Sequence, residues 1–534
     1  MVGAPSAPLA GEVRIGAIDI GSNSIRAIVA DVAPTGAIRV IDELKAAPRL
    51  GAGLEQTGEL SDTSMRAAID ALARMATLAR QLGAQRVEAV ATSAVRDARN
   101  GPQFLARVRE DTGLSVRLLD GEEEAHLSFR SALAHFELGS GRAVVMDIGG
   151  GSLELALSVD GMLEHLLSLP FGAVRMTERY LRGGGRRRDV ERLRADVRTA
   201  LKGVLAARDW RGAQVIGSGG TFTNLAGIHA ARRGIQVARS VHGTRVPRTE
   251  LEHVLDMLQE MTPAERLHVP GLNPGRADII VAGLAVAAEV MGRVEARELQ
   301  VSAYGIREGL LLETARVVPT VADPGEARER SVRAFAERCH YEEPHSRHVQ
   351  ELALQLFDQL APRLKLHAAD RTTLSDAALV HDVGYHINYD KHHKHSYHLV
   401  VHAELLGMTP EEQVAVANVA RYHRGAPPKK KQRNFGPLDK ALRARIVKLS
   451  ALLRVADGFD RGHVGAVERV RVHVGAKSVR LSPTPAVPGA SLRLEMWGAS
   501  RKSALLAEVL AQPVEIVGPN GEVVRFEEGE GEAD

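Results

Sequence analysis

Two short stretches of this chain, Asp19-Ile-Gly-Ser-Asn-Ser24 and Asp147-Ile-Gly-Gly-Gly-Ser152, carry Asp, Ile, Gly and Ser at the same offsets, 128 residues apart. Each lies between apolar, β-branched runs that read as strands: VRIGAID and SIRAIVADV around the first, RAVVMDI and LELALSV around the second. A single Asp-x-Gly turn after a strand often does no more than close a hairpin. Two copies, each opening an α/β segment, predict a duplicated architecture with a ligand held between its halves. In such a turn an Asp can bind a metal or orient water. The glycines let backbone N–H groups approach a phosphate, and Ser adds a donor.

At 534 residues the chain is too long for one core, and 44% hydrophobic with 25% charged residues is ordinary for packed domains. The first α/β segment continues with the amphipathic helix MRAAIDALARMATLARQLGA and the strand VEAVAT. The second continues with AQVIGS, the helix ADIIVAGLAVAAEVMGRV and YGIREGLLLETA. The Pro/Gly-rich, charged stretch 319–330 reads as a linker. Helical spacing follows in VQELALQLFDQL, SDAALVHDVG, EEQVAVANVARYH and ALRARIVKLSALLRVAD. Alternation returns in RVRVHV, SVRLS, SLRLEM and VEIVG, which predicts a small unit containing strands, and the acidic tail EEGEGEAD reads as disordered. The expected domains are an N-terminal lobe at 13–132, a second lobe at 133–316, a helical domain at 327–465 and a small α/β unit at 466–526.

Composition removes several function classes. Aromatic residues are only 4%, which disfavours single-stranded nucleic-acid binding by stacking, and a net charge of +3 leaves an anionic partner to local clusters. No specific nucleic-acid partner is expected. One cysteine, Cys339, excludes a disulfide framework. No apolar run approaches the roughly 20 residues of a membrane helix, and MVGAPSAPLAGE lacks a signal-peptide pattern, so a soluble, cytoplasmic protein without a membrane partner is expected.

Three further clusters sit near the matched loops. Gly217-Ser-Gly-Gly-Thr221 lies between a strand and a helix, where its amides could meet an anion or simply make a tight turn. Leu119-Asp-Gly-Glu-Glu-Glu-Ala125 puts three carboxylates at a helix start. They suit the helix dipole, but one that points into a phosphate-lined cleft is a natural general base. Ala91-Thr-Ser-Ala-Val-Arg96 ends a strand, and Arg96 could contact a phosphate or make a surface ion pair.

In this order, the two loops, Ala91–Arg96, Gly121-Glu-Glu-Glu-Ala125, Glu154 and Arg307-Glu-Gly309 resemble the exopolyphosphatase / guanosine pentaphosphate phosphohydrolase family over roughly residues 13–316. The resemblance implies two ribonuclease-H-like lobes of the actin and sugar-kinase type. It also implies metal-dependent hydrolysis, with Mg²⁺ or Mn²⁺, of the terminal phosphate of inorganic polyphosphate or guanosine pentaphosphate, by a homodimer. By position, Glu124 resembles the catalytic base, with Glu123 one register away, and Arg96 belongs with them. Asp19, Asp147 and Glu154 correspond to metal- or water-orienting carboxylates. Gly21, Ser22, Asn23, Ser24, Gly149, Gly150, Gly151 and Ser152 correspond to the phosphate cradle, to which the residue reading adds Gly219 and Thr221. Leu153 stands where the family often has Thr.

The chain holds 21 histidines, many of them between 340 and 425. His345 falls on the apolar face of Val349, Leu352 and Leu356. His381 extends the Leu374/Ala378 face, with Asp382 beside it, and Asp457 shares a face with Ile446, Leu449 and Leu453. A lone histidine on such a face is usually a hydrogen-bonded core residue. The order His…His-Asp…Asp on three helices resembles the HD phosphohydrolase domain and a second divalent-metal site, to which His402 and His423 would add a further position. The run Asp390–His398 and the cluster Lys429–Arg433 read either as solvated loop or as a path for a polyanion. The function expected is an exopolyphosphatase. A guanosine pentaphosphate hydrolase and a low-turnover polyphosphate or alarmone sensor are the alternatives.

Overall fold

The computed structural model describes residues 8, 11–138, 140–184, 186–235, 240–317, 324–403, 405 and 407–524. Residues 319–323 of the expected linker, the acidic tail and most of the N-terminal lead lie outside them. Backbone contacts divide the chain into two compact units, one of Met1–His229 with Val241–Pro324 and one of Ala230–Ser240 with Gly325–Asp534. The segment Ala230–Ser240, inside the expected second lobe, thus groups with the C-terminal unit.

The first unit is built on two sheets. Strands β1 (Val13–Ile20), β2 (Ile25–Val32), β3 (Ile38–Ala46), β4 (Arg86–Ala91) and β5 (Val116–Leu118) pair in the order β3-β2-β1-β4-β5. Strands β6 (Arg142–Ile148), β7 (Leu153–Val159), β8 (Met162–Leu169), β9 (Gln214–Ser218), β10 (Arg245–Pro247) and β11 (Glu298–Val301) pair in the order β10-β11-β9-β6-β7-β8. Read from the other edge, β8-β7-β6-β9-β11 repeats the first sheet strand for strand. In each, an antiparallel meander of three strands is extended by a parallel one, β4 on β1 and β9 on β6.

The central strands are buried on both faces, which is why they read as nearly unbroken apolar runs. β1 sends Ile18 and Ile20 into one layer, against Ile69, Leu72 and Met75 of the helix Asp62–Gln81. It sends Ile15 and Ala17 into the other, against Leu127 of the helix Gly121–His135 and Leu310–Leu312 of the helix Ile306–Thr314. In the second lobe the helix Ile280–Arg293 is apolar up to Met291 apart from Glu289, which pairs with Arg194 and Arg198, and every residue from Ile280 to Met291 is buried.

The duplicated hairpins have the same turn. Gly21 N–H donates to Ser24 O at 3.2 Å, and Gly149 N–H donates to Ser152 O at 3.1 Å. Register then sets Asp19 opposite Arg26 and Asp147 opposite Glu154, each partner seven positions on. The two hairpins therefore present opposite charges, Arg26 and Glu154, at equivalent places.

The second unit packs the helices Pro324–Arg338, Glu343–Leu364, Ala368–Leu379, His392–His402, Pro410–Arg421 and Lys440–Gly458 around one core. A small sheet follows, β12 (Val467–Val474), β13 (Val479–Pro485), β14 (Val514–Val517) and β15 (Val523–Val524), with the helices Arg493–Lys502 and Ala504–Leu510. Three expectations are corrected here. SLRLEM enters a helix and not a strand, because Leu492, Met496 and Ala499 are buried at helical spacing and the alternation was carried by too few residues. The linker reading fails from Pro324 onward, since proline and acidic residues suit a helix start as well as a loop. The run from His392 is a helix with His392, Ser396 and Val400 buried, not solvated loop. Among the described residues no helix is long and apolar enough to cross a membrane.

Candidate active site

The first unit contains a solvent-open cleft. Both matched loops line it, through Asp19, Gly21, Ser22, Asn23 and Ser24 on one side and Asp147, Gly149, Gly150, Ser152 and Glu154 on the other. The loops touch. A Cβ on Gly150 would lie 2.7 Å from Ser22 Cβ, and one on Gly151 2.2 Å from Ser93 Oγ, while the Ser22 and Ser93 hydroxyls are 3.0 Å apart. The helix Ala173–Tyr180 closes over the second loop, Ala173 N–H donating to Gly149 O at 3.0 Å and Val174 N–H to Gly150 O at 2.9 Å.

Glu124 reaches the cleft from the first turn of the helix Gly121–His135. Asp120 caps that helix by accepting from Glu123 N–H at 2.8 Å, and the Glu123 carboxylate accepts from Asp120 N–H at 2.9 Å. This capping box decides between the neighbouring carboxylates. Glu123 is committed to the helix end, Glu122 faces solvent, and Glu124 is buried at the cleft. Glu123 as an alternative base is therefore corrected. Gly121 has no Cβ to strike Ser168, which would lie 2.2 Å away, so β8 approaches closely and Ser168 donates to Glu154 at 3.0 Å.

Arg96 does not line the cleft. Its guanidinium donates to Glu124 and, at 2.8 Å, to Leu119 O, so it holds the carboxylate and not a phosphate. Thr221 is fully buried outside the lining, with its hydroxyl against Gly283, and Gly151 packs behind the loop; neither faces the cleft as expected. Gly219 does line it, in a left-handed conformation (φ +92°) in which a Cβ would lie 2.8 Å from Asp147 Oδ1.

Asp19, Glu124, Asp147, Glu154 and Glu308 bring five carboxylates to this space, all but the half-buried Asp19 buried. Asp147 Oδ2 accepts from Ser218 at 2.6 Å and Ser128 at 3.0 Å, yet burial still raises its pKa. Burial pushes Asp19 up to about 6 against the pull of Arg307 and Arg26. It pushes Glu154 up to about 8, helped by Asp147 and resisted by the Ser152 and Ser168 hydroxyls. Glu124 rises well above the carboxylate range through burial and the Glu154 charge, with Arg96 opposing. Asp19 Oδ1 is buried without a hydrogen bond. Such a set fits a hard divalent cation, which would supply the missing positive charge. Among the described residues, however, Asp19, Asp147 and Glu154 do not bring three ligand oxygens within 4.8 Å of one another, so they do not form a three-carboxylate cage. That suits Mg²⁺, which usually takes one or two carboxylates and completes its shell with phosphate oxygens and water.

Arg26, Arg276 and Arg307 also line the cleft. Burial lowers Arg26, and the neighbouring Arg307 charge lowers it further. Burial and Arg26 lower Arg276 to about 10. Crowded, desolvated guanidiniums are relieved by an anion. Gly220 admits one of them, since its Cβ would lie 2.0 Å from Arg276 Cζ. No role for Arg26 or Arg276 is legible in the sequence. The equal offset of Arg26 and Glu154 from the two aspartates is the one signal that marks Arg26.

The family model described as the Ppx/GppA phosphatase family matches residues 28–317, and that for Ppx/GppA phosphatase, domain III, matches residues 327–482. The chain belongs to the Ppx/GppA phosphatase family. Among Ppx/GppA relatives, it is 33% identical over 308 residues to Exopolyphosphatase 1 of Mycobacterium tuberculosis, covering 56% of this chain and 88% of that one. It is 26% identical over 416 residues to the guanosine-5'-triphosphate,3'-diphosphate pyrophosphatase of Pseudoalteromonas atlantica, covering 76% and 79%. The crystal structure of an exopolyphosphatase from Cytophaga hutchinsonii matches with a TM-score of 0.52 at 26% identity, over 57% of this chain and 99% of that one. The α/β Ppx/GppA phosphatase fold is thus followed here by a largely helical region.

In that region His345, His381, Asp382 and Asp457 do come together, each at most 8% exposed. His423 joins them. His402 does not: its ring bonds its own helix at His398 O, 2.8 Å away, and His392 takes its place.

Proposed function

We propose that this chain is an exopolyphosphatase that releases terminal orthophosphate from inorganic polyphosphate, with Glu124 as general base. The observation that carries the reading is the placement of Glu124: one buried carboxylate at the head of a capped helix, facing a cleft lined by both matched loops. The amides and hydroxyls of Gly21–Ser24 and of Gly149, Gly150 and Ser152 hold the terminal phosphate, and Arg26, Arg276 and Arg307 carry the phosphates behind it. A water oxygen forms the new bond to the terminal phosphorus and Glu124 takes its proton. The bridging P–O bond breaks and its electrons leave with the shortened chain. Arg96 keeps the Glu124 carboxylate aimed and opposes the rise of its pKa. One or two of the carboxylates Asp19, Asp147 and Glu154 would hold a magnesium or manganese ion, which would neutralise charge on the phosphoryl oxygens.

Guanosine pentaphosphate is the second reading, favoured by the relative matched over 416 residues. The lining supports the polymer. It offers three guanidiniums, while its aromatic ring, Tyr304, is already stacked on His135 with centroids 4.0 Å apart, away from any guanine. The order His345, His381-Asp382, Asp457 supports reading the helical unit as HD-like. Phosphate release from polyphosphate and from guanosine pentaphosphate, measured side by side with and without Mg²⁺, tests the assignment. Faster Mg²⁺-dependent release from polyphosphate is expected, and a preference for guanosine pentaphosphate would reverse it.

A further inference from the structure

One rung of the first sheet carries charge from the cleft to the sheet's edge. Asp19 stands opposite Arg26, and Arg26 stands opposite Lys45. Residues paired directly across strands turn their side chains to the same face. The rung therefore begins at the cleft with Asp19, passes Arg26 and ends at Lys45, because β3 is the outermost strand. Arg26 lines the cleft, and Lys45 is exposed one strand further out. Two strand separations, about 10 Å, divide Asp19 from Lys45.

Like charges directly opposite one another destabilise a sheet, and nothing in the chain offsets this pair. Arg276 adds a third cation: partial burial lowers the Lys45 pKa, and the Arg26 and Arg276 charges lower it further. Among the described residues, none of Arg26, Lys45 and Arg276 is hydrogen-bonded or ion-paired to a carboxylate. The acids nearby are engaged elsewhere. Glu43, two positions along β3 on the face of Lys45, meets Arg307 Nη1 at 3.4 Å, and Asp278, whose charge reaches Arg276, binds Arg49 at 2.5 Å. A lysine on an edge strand can serve only to keep other strands away. That service gains nothing from a second cation placed opposite.

We infer that a polyphosphate chain leaves the cleft along this rung, over β2 and β3, and that Lys45 is its outermost contact, selecting chains long enough to reach it. The inference rests on the exopolyphosphatase reading and deepens it. With the terminal phosphate held by the matched loops beside Asp19, the phosphates behind it meet Arg26 and Arg276, and those further back meet Lys45. Each brings negative charge to where the three cations face one another, so the bound chain turns their repulsion into attraction. A lysine suits the outermost place. Its compact ammonium on a flexible stem can follow a chain of identical charges without fixing its register. Lys45 binds and does no chemistry.

The test is equilibrium binding of long-chain polyphosphate to the full chain, without divalent ions so that turnover does not intrude. Lys45→Met should bind about fivefold more weakly, with a salt dependence shallower by roughly one counterion, and Lys45→Arg should restore most of the loss. Lys477→Met, which removes an exposed lysine between β12 and β13, should match the unaltered chain. Without polyphosphate, the thermal midpoint of Lys45→Met should hold or rise, since a repulsion is removed. Undiminished affinity in Lys45→Met, an equal loss in Lys477→Met, no rescue by Lys45→Arg, a lowered midpoint, or no binding by the unaltered chain would each overturn the inference. Adding Mg²⁺ separates it from the reading it rests on. The expected binding pattern without release of orthophosphate would refute the activity and leave the path standing. With release, Lys45→Met should raise KM at unchanged kcat, and a fall in kcat alone would overturn the binding role.

Discussion

Glu124 and Arg96 form a pair in which one side chain sets the working range of the other. Arg96 is the cation that opposes the rise of the Glu124 pKa, so removing it pushes that pKa further up. Since a base works deprotonated, the acid limb of kcat/KM should move to higher pH in Arg96→Gln, as a pH–rate profile will show; a limb unmoved or shifted to lower pH would deny the pairing. Glu123→Gln, by contrast, keeps a capping residue and should turn over at nearly the unaltered rate. The sequence exposes both glutamates and ranks Glu124 first only through the family resemblance, because the physical distinction lies in which one the helix end consumes. The loop residues are legible through their repetition. Arg276 is not, since it reaches the cleft only because Gly220, distant in sequence, leaves it room.

The matched hairpins act as one element, each loop holding the other in place. A methyl on Gly150 would press on Ser22 Cβ at 2.7 Å and on Val174 Cγ2 at 3.3 Å. Gly150→Ala should therefore pry the loops apart and lower kcat/KM on the order of 10²-fold, the cost of a roughly 1 Å misplacement, in steady-state assays of phosphate release. Asp120→Ala removes the cap of the Glu124 helix, and chemical denaturation should show a loss of about 1 kcal/mol. The duplication is readable from the hairpins because their apolar runs are long and twice repeated. SLRLEM misled because a short alternation fits either period until burial of Leu492, Met496 and Ala499 selects one. The histidine run misled for a related reason: His392 looks polar in sequence, yet it is buried by what it faces, not by its neighbours in the chain.

Across the whole molecule the buried carboxylates couple folding to pH and to metal. Glu154 has a folded pKa of about 8 against an ordinary 4.5, so the folded state binds its proton more tightly than the unfolded state does. That contribution is complete below about 4.5 and is lost as pH rises through about 8. Without divalent ions the thermal midpoint should fall over that window, less steeply in Glu154→Gln, and Mg²⁺ should restore it near pH 8; a midpoint insensitive to Mg²⁺ there would speak against a metal among these carboxylates. The family matches cover both units but do not assign a base, and everything proposed for the cleft turns on one. The direct test is the rate of orthophosphate release from long-chain polyphosphate with Mg²⁺, for the unaltered chain and for Glu124→Gln. The account predicts a loss of about 10²–10⁴-fold in a protein that still folds and still binds polyphosphate. Release at the unaltered rate from Glu124→Gln would contradict it.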